Sequence, residues 1–401
     1  MKELMLVGVG VMGRPYLTAA QDLGIRVCAV ETESWTGQEE AGHVDVHRIA
    51  GVRDDRRDLD EVWAQGVYRV LAQRCPDGIL AFAEPHVLAA ALAQDRLGLP
   101  GPSLHAVVLS RNKALQRACF ASFGLLQPEF VVAADALAGA EWAASRLPVV
   151  LKPLSASGSI GVELVTGPPR LREAARERAV AGRVLVETAV EGPEFSWEGF
   201  VRDGHVLFGN VTAKETTGPP HFVEIAHRCG HRFADAEQRR SVDALAEAVI
   251  GALGMRTGVV HLEFRMAATG PVIMEVAVRT PGDFLMDLIS MTYGFNSYRV
   301  GVQLALGLPV DLPLTAQPVS QPGIWYPLCP PGEVVRIEGL DEVETHPGVV
   351  RVALKVKPGD RVQPIVSSGT RIGCVLVTGD TAQERDEVMR ATRQRLRIIT
   401  R

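Results

Sequence analysis

The 401-residue sequence has no uninterrupted apolar run approaching the roughly 18 residues a membrane-spanning helix needs, so no such span is expected. Lysine and arginine form neither a tail nor a run, and the net charge is −5, which argues against a nucleic-acid partner. The six cysteines, Cys28, Cys75, Cys119, Cys229, Cys329 and Cys374, show no CxxC spacing. Structural zinc is therefore not expected, and reduced thiols in a cytoplasmic protein are. Internal repeats and low-complexity tracts are lacking as well. The apolar start, MKELMLVGVGVMG, has no small-residue cleavage site and runs straight into a glycine turn, so it reads as a first strand rather than a signal peptide. What is present is the make-up of a globular chain, 47% hydrophobic and 22% charged, with length for two or three domains.

Residues 1–100 alternate strand and helix signals. LMLVGV precedes a helix from about Pro15, IRVCAVE follows, and GILAFAE leads to a helix ending near Leu97, which together make a parallel α/β unit. The first turn holds Gly8, Gly10 and Gly13 in G-x-G-x-x-G spacing, and Glu31 closes the second strand where a ribose-binding acid would sit. This pattern points to a dinucleotide, while the same glycines equally serve a tight strand-to-helix turn with close packing. Glu84-Pro85-His86 places polar groups at the C-terminal end of a strand, where open α/β sheets bind ligands. His43 and His47 lie in the alternating HVDVH with no third ligand nearby and read as surface or loop residues.

Leu99-Pro100-Gly101-Pro102 marks a boundary. Beyond it, the helical stretch SRNKALQRACFASFGL carries Lys113, and an alanine-rich helix leads to the strand LPVVLKPL, which delivers Lys152. Ser155, Ala156, Ser157, Gly158, Ser159, Ile160 and Gly161 follow. Small residues after a strand let backbone N–H groups approach phosphate oxygens, although no Walker lysine follows and a plain hairpin turn has the same composition. VLVETAV contains Glu187, Thr188, Ala189 and Val190, and Glu194 lies just past Gly192-Pro193. A hairpin turning at Asp203-Gly204 comes next. In FVEIAHRCGH, Glu224 and His227 break strict alternation, so either the segment bends or one of them turns inward to a site. His227 and His231 are spaced as a metal pair but find no further ligands. Residues 235–253 give the clearest helix, capped by Asp235 with Gln238 placed as in a capping box, and its apolar stripe is read as core. Residues 311–322 read as a linker, and the rest as strands followed by a polar helix over 381–396.

Residues 258–279, GVVHLEFRMAATGPVIMEVAVR, read as a hairpin around which the rest is organised. Val260, Leu262, Phe264 and Met266 alternate with His261, Glu263 and Arg265, and Val272, Met274, Val276 and Val278 with Glu275, Ala277 and Arg279. A three-residue loop at 268–270 would pair Ala267 with Pro271 and bring Glu263 opposite Glu275, their Cβ atoms roughly 5 Å apart. Like charges so placed destabilise a strand pair unless something binds both, and a divalent cation does so. Arg279 could then reach an anion on that metal. A solvated face with chance alignment of charges is the plain alternative.

Lys113, Lys152, the glycine loop, Glu187, Glu263, Glu275 and Arg279, in this order, make the chain resemble an ATP-grasp enzyme over essentially its whole length. The resemblance implies an α/β fold of ATP-grasp type. It divides into an N-terminal Rossmann-like domain over 1–100, an ATP-grasp domain over 101–310 with a lid at about 115–190, and a C-terminal β-rich domain over 311–401, a layout like that of biotin carboxylase and the L-amino acid ligases. It further implies ATP and magnesium as cofactors, held in a cleft between two antiparallel sheets. Lys113 and Lys152 match the phosphate-reaching lysines, and Ser155, Ser157, Gly158, Ser159 and Gly161 the cover over the β- and γ-phosphates. Glu187, Thr188, Ala189 and Val190 match the adenine hinge, Glu194 the ribose acid, Glu263 and Glu275 the magnesium ligands, and Arg279 the phosphate-binding arginine. The family's last motif, E-x-N-x-R, here reads Glu275-Val-Ala277-Val-Arg279, so the metal count departs from the pattern.

FVEIAH and VSSGTRIGCVLVTGDT are most similar to the L-amino acid ligases. By that resemblance Glu224 and His227 line the acyl-substrate pocket, with Glu84, Arg279 and Gly282 as further substrate contacts. The expected activity joins a small-molecule carboxylate to an amine through an acyl phosphate, releasing ADP and phosphate. A homodimer is the expected assembly. Three other readings stand beside it: a bicarbonate-using carboxylase of the same family, an NAD(P)-dependent oxidoreductase through Gly8, Gly10 and Gly13, and a nucleotide-binding regulator without turnover.

Overall fold

The structure is a computed structural model describing residues 1–10, 12–32, 60–178, 182–313 and 317–401, with backbone alone over 44–49. His43 and the side chain of His47 lie outside it. The N-terminal segments form a four-stranded parallel sheet in the order Val44–Ile49, Arg26–Thr32, Glu3–Val7, Gly78–Ala81. Glu3–Val7 is buried along its whole length, as a central parallel strand covered on both faces must be. The third predicted strand is shorter than read, ending at Ala81, so Glu84 sits in the turn before the helix Val87–Leu97.

Two antiparallel sheets follow. The smaller has the order Phe130–Ala133, Val184–Thr188, Val149–Pro153, Glu163–Val165. The larger has eight strands: Gly270–Ala277, Gly258–Ala267, Glu194–Arg202, His205–Thr216, Glu224–Arg228, Gly323–Trp325, Gly373–Val377 and Val349–Leu354. This sheet runs through the expected boundary at residue 310, its last three strands coming from beyond it. A three-stranded sheet of Arg361–Val362, Gly332–Glu338 and Arg397–Thr400 stands beside it.

One face of the large sheet packs on the helix Ala236–Leu253, through Trp197, Val242, Val249, Leu262, Phe264, Ile273 and Val276. Each such side chain contributes roughly 1.5–3 kcal/mol by leaving water. Asp235 caps that helix by accepting from the Glu237 N–H. The helical stretch read from Ser110 holds one helix, Lys113–Ser122, which starts later than read because Asn112 caps it by accepting from the Ala114 and Leu115 N–H groups; a separate helix, Leu104–Ser110, precedes it. Lys113 thereby opens a helix, and its own N–H is held by the Leu154 carbonyl beside the strand that carries Lys152.

The central hairpin differs from the sequence reading in two compensating ways. Ala267 pairs with Gly270 across a two-residue loop, one residue tighter than expected. The register then shifts between Glu263 and Phe264, leaving Met274 as an extra residue in the second arm, and Glu263 falls opposite Glu275 after all. The bulge turns Ile273 into the core and Met274 out of it, reversing the expected faces of that stretch.

Candidate active site

A cavity of about 710 Å³ opens between the two antiparallel sheets, within the size range of small-molecule sites. The small sheet contributes Val150, Lys152, Leu164 and Glu187, and the large one Lys214, Glu263, Met274 and Glu275. Lys113, Ser157, Gly158, Ser159, Thr188, Ala189, Val190, Glu194, Glu224, His227, Arg279 and Gly282 line it too. Segments separated by more than a hundred residues thus supply one set of polar groups. Ser155 and Gly161 flank the lining part of their loop without reaching the cavity, and Glu84 stands behind Arg279 instead of facing the cavity.

The cations are held by carboxylates. Lys113 Nζ lies 2.9 Å from Glu275 Oε1 and donates to the Ala156 carbonyl of the glycine loop at 2.6 Å. Lys152 Nζ meets Glu187 Oε2 at 2.6 Å, while Arg117 Nε donates to Glu187 Oε1 at 2.5 Å and Arg117 Nη2 to the Met274 carbonyl. Glu187 is thus an anchor for Lys152 and Arg117, with both oxygens engaged. Burial drives the Lys152 pKa down, opposed by the Glu187 charge. Lys214, almost fully buried, lies within 3.0–3.2 Å of Glu263, Glu194 and Glu224. Burial works to lower its pKa, and the three carboxylates more than offset this, holding it firmly protonated.

Glu263 and Glu275 occupy opposite register positions on the cavity face. Two hard oxygen donors so placed fit a magnesium ion that completes its shell with water and phosphate oxygens; among the described residues no group of three ligands gathers. Behind them, Glu198 accepts from Asn210 and Thr212 and sits 3.1 Å from His261 Nδ1, whose Nε2 is 3.2 Å from Glu263 Oε1. Burial acts to lower the His261 pKa, but its two carboxylate partners raise it to about 9. Ala277 lies opposite His261 in the strand register.

Glu224 and His227 both reach the cavity, and the reason is a bulge. Thr216 pairs with Glu224 and Glu215 with Ala226, so Ile225 is an extra residue that changes the strand's parity between the two. Glu224 Oε2 accepts from Ser368 Oγ at 2.9 Å. His227 Nε2 is 2.8 Å from Asp283 Oδ2, and Asp283 is gripped through both oxygens by Arg371, whose guanidinium lies 3.8 Å from the Tyr326 ring centroid. Burial would raise the Asp283 pKa; His227 and Arg371 instead hold it well below the usual carboxylate range. Arg279 Nε donates to Glu84 Oε2 at 2.6 Å, and Arg111 bridges Glu84 and Asp60. Glu84 therefore orients an arginine where a substrate contact was expected.

The dinucleotide reading fails on geometry. Glu31 Oε2 accepts the Val9 and Gly10 N–H groups at 2.6 and 3.2 Å, filling the donors a pyrophosphate would need. A Cβ on Gly8 would meet the His86 ring at 2.0 Å, and one on Gly13 the Val9 carbonyl at 2.4 Å, so these glycines serve packing. His231 packs between Phe195 and Phe233 and does not line the cavity, which removes the metal pair with His227. Sequence reasoning missed Arg117, Lys214, Asp283, Ser368 and Arg371. Lys214 had a signal, since it alternates with Asn210 and Thr212 on the inward face of a buried strand; the pairing of Asp283 with Arg371 had none.

Family models match three stretches of the chain: an ATP-grasp N-terminal domain over residues 17–101, an ATP-grasp domain over 145–287, and an L-amino acid ligase C-terminal domain 2 over 325–401. The two ATP-grasp matches together take in more than half of the sequence. The chain is 29% identical over 363 residues to the uncharacterized protein y4rH of Sinorhizobium fredii, covering 86% of this chain and 73% of that one. It is 29% identical over 350 residues to carnosine synthase 1 of Gallus gallus, covering 80% of this chain but only 37% of that longer protein. The crystal structure of an L-amino acid ligase from Bacillus licheniformis superposes with a TM-score of 0.82 over 100% of this chain and 99% of that one, at 24% identity, a likeness of fold. With the fold, the cavity between its antiparallel sheets and these matches together, the chain belongs to the ATP-grasp superfamily of ATP-dependent ligases.

Proposed function

We propose that the protein joins a carboxylate, in particular that of an amino acid, to an amine through an acyl phosphate, releasing ADP and phosphate. The observation carrying this reading is that Lys113, Lys152, Glu263, Glu275 and Arg279 line the same cavity as Glu224 and His227. In this reading a phosphoryl-transfer end and a substrate end would share one cavity. The L-amino acid ligase match over residues 325–401 covers the segment that supplies Ser368 and Arg371 to the substrate end.

A carboxylate resists attack by an amine until its oxygen carries a good leaving group. Lys113 and Lys152 would balance charge on the transferring phosphoryl, and Arg279, fixed by Glu84, would hold the acyl phosphate oxygens. Glu263 and Glu275 would hold magnesium, which when bound supplies charge neutralisation on the phosphate oxygens. Thr188, Ala189 and Val190 would receive the adenine and Glu194 the ribose. Ser157, Gly158 and Ser159 would cover the phosphates and keep water from the intermediate. In this reading residues 1–100 buttress Arg279 through Glu84, residues 101–310 carry the nucleotide, and residues 311–401 complete the substrate end.

A phosphate-release screen of amino acids and small carboxylates, each alone and paired with amines, tests the proposal. ADP and phosphate should appear only when both an acid and an amine are supplied. Release of AMP, or turnover with bicarbonate and no amine, would overturn it.

A further inference from the structure

We infer that His227 is the general base that removes a proton from the attacking amine, with Asp283 fixing the tautomer that lets it do so. This rests on the ligase reading above. An amine with an ordinary pKa is an ammonium ion near neutral pH and cannot attack until it gives up a proton, so the substrate end needs an uncommitted basic lone pair.

The neighbouring carboxylates are all committed. Glu224 faces Lys214 and Ser368, Glu263 faces Lys214 and His261, and Glu275 faces Lys113. Both nitrogens of His261 meet carboxylates. His227 is different. Its Nε2 lies 2.8 Å from Asp283, whose carboxylate is bound through both oxygens by Arg371 and so stays ionised and can only accept. In the neutral ring the proton therefore belongs on Nε2, which leaves the lone pair on Nδ1. His227 Nδ1 is buried and has no hydrogen-bond partner among the described residues, on a side chain that lines the cavity beside Gly282, Asp283 and Arg279. A buried ring nitrogen without a partner is costly unless something fills the place, and a substrate N–H does. The charged and titratable groups around it are Asp283 and Arg371 at Nε2, Tyr326 edge-on with ring centroids 6.1 Å apart, Lys214 opposite it in register and Glu224 on its own strand.

The step balances. The ammonium gives one proton to Nδ1, its nitrogen pair forms the bond to the acyl carbon, and the bond from that carbon to the phosphate oxygen breaks with its electrons leaving on phosphate. The second nitrogen proton leaves with the phosphate, and the imidazolium, stabilised by Asp283, discharges to solvent when the cavity opens.

Hydroxylamine separates this step from the one before it, because it is an uncharged nucleophile at about pH 7 and needs no base to trap an acyl phosphate. With the acid and amine found active in the phosphate-release screen, wild type should form both amide and hydroxamate. His227→Asn and Asp283→Asn should each lower the ratio of amide to hydroxamate formed by roughly 10²–10⁴-fold, and the hydroxamate they still form shows that they fold. The residual amide activity of His227→Asn should climb with pH in proportion to hydroxide, more steeply than that of wild type. Amide and hydroxamate falling together, or neither falling, would overturn the role of His227. No hydroxamate from wild type with any acid would overturn the ligase reading and this inference with it.

Discussion

Asp283 and Phe284 both have φ of 58°, a left-handed backbone that costs a non-glycine residue roughly 1–2 kcal/mol. The grip of Arg371 and the contact with His227 hold Asp283 in that place, and strain of this kind collects where a side chain must be aimed. Its depressed pKa makes stability depend on pH. The contribution is complete above the ordinary aspartate value of about 3.9 and is lost as pH falls below it toward the folded value. Urea midpoints of wild type should therefore drop through this acid range, and Asp283→Asn, less stable near neutrality, should show a shallower drop; parallel curves would contradict the account. Lys214 is the opposite case, one cation under three carboxylates. Lys214→Met leaves Glu194, Glu224 and Glu263 without it and should cost roughly 3–5 kcal/mol in urea unfolding. An unchanged midpoint would show that the charges are not compensated by this lysine.

At the scale of elements, the glycine loop and the turn Ser368–Thr370 meet. The Ser368 N–H donates to the Gly158 carbonyl at 3.0 Å, and Ser368 Oγ donates to Glu224, so one residue touches both the glycine loop and Glu224 at the cavity wall. Gly158 has φ of 63°, and a Cβ there would come within 3.3 Å of Ser368. Gly158→Ala should hinder closure at a cost of roughly 1–2 kcal/mol and let water reach the intermediate, seen as more phosphate released per amide formed. A ratio equal to that of wild type would show that the loop does not exclude water. Alternation made the hairpin and its facing carboxylates readable, yet the reading reached the right pair through the wrong register. A tighter loop and the Met274 bulge cancelled, and one extra residue in a strand leaves no periodic trace in a single sequence. The Ile225 bulge hid the shared face of Glu224 and His227 in the same way, although FVEIAH could be seen to break alternation. The start of the helix at Lys113 was visible in principle, since asparagine is a strong cap and Ser110-Arg111-Asn112 carries no apolar residue, but the reading began the helix at Ser110.

At the scale of the whole molecule, the order of strands and helices placed the parallel sheet and the cleft, because local pattern is enough for elements and family order for their arrangement. Contacts closing over long separations were not legible. Arg371 reaches Asp283 across 88 residues and Glu84 reaches Arg279 across 195. These two links tie the first and last parts of the chain to the cavity, and together they fix Arg279 and Asp283 in its lining. The account stands on that end and the phosphoryl-transfer end acting on one carboxylate. Supplying the acid substrate with heavy oxygen in its carboxyl group and analysing the released phosphate by mass spectrometry tests this most directly. One labelled oxygen should pass from the acid to each phosphate formed alongside amide; phosphate without label would contradict the account.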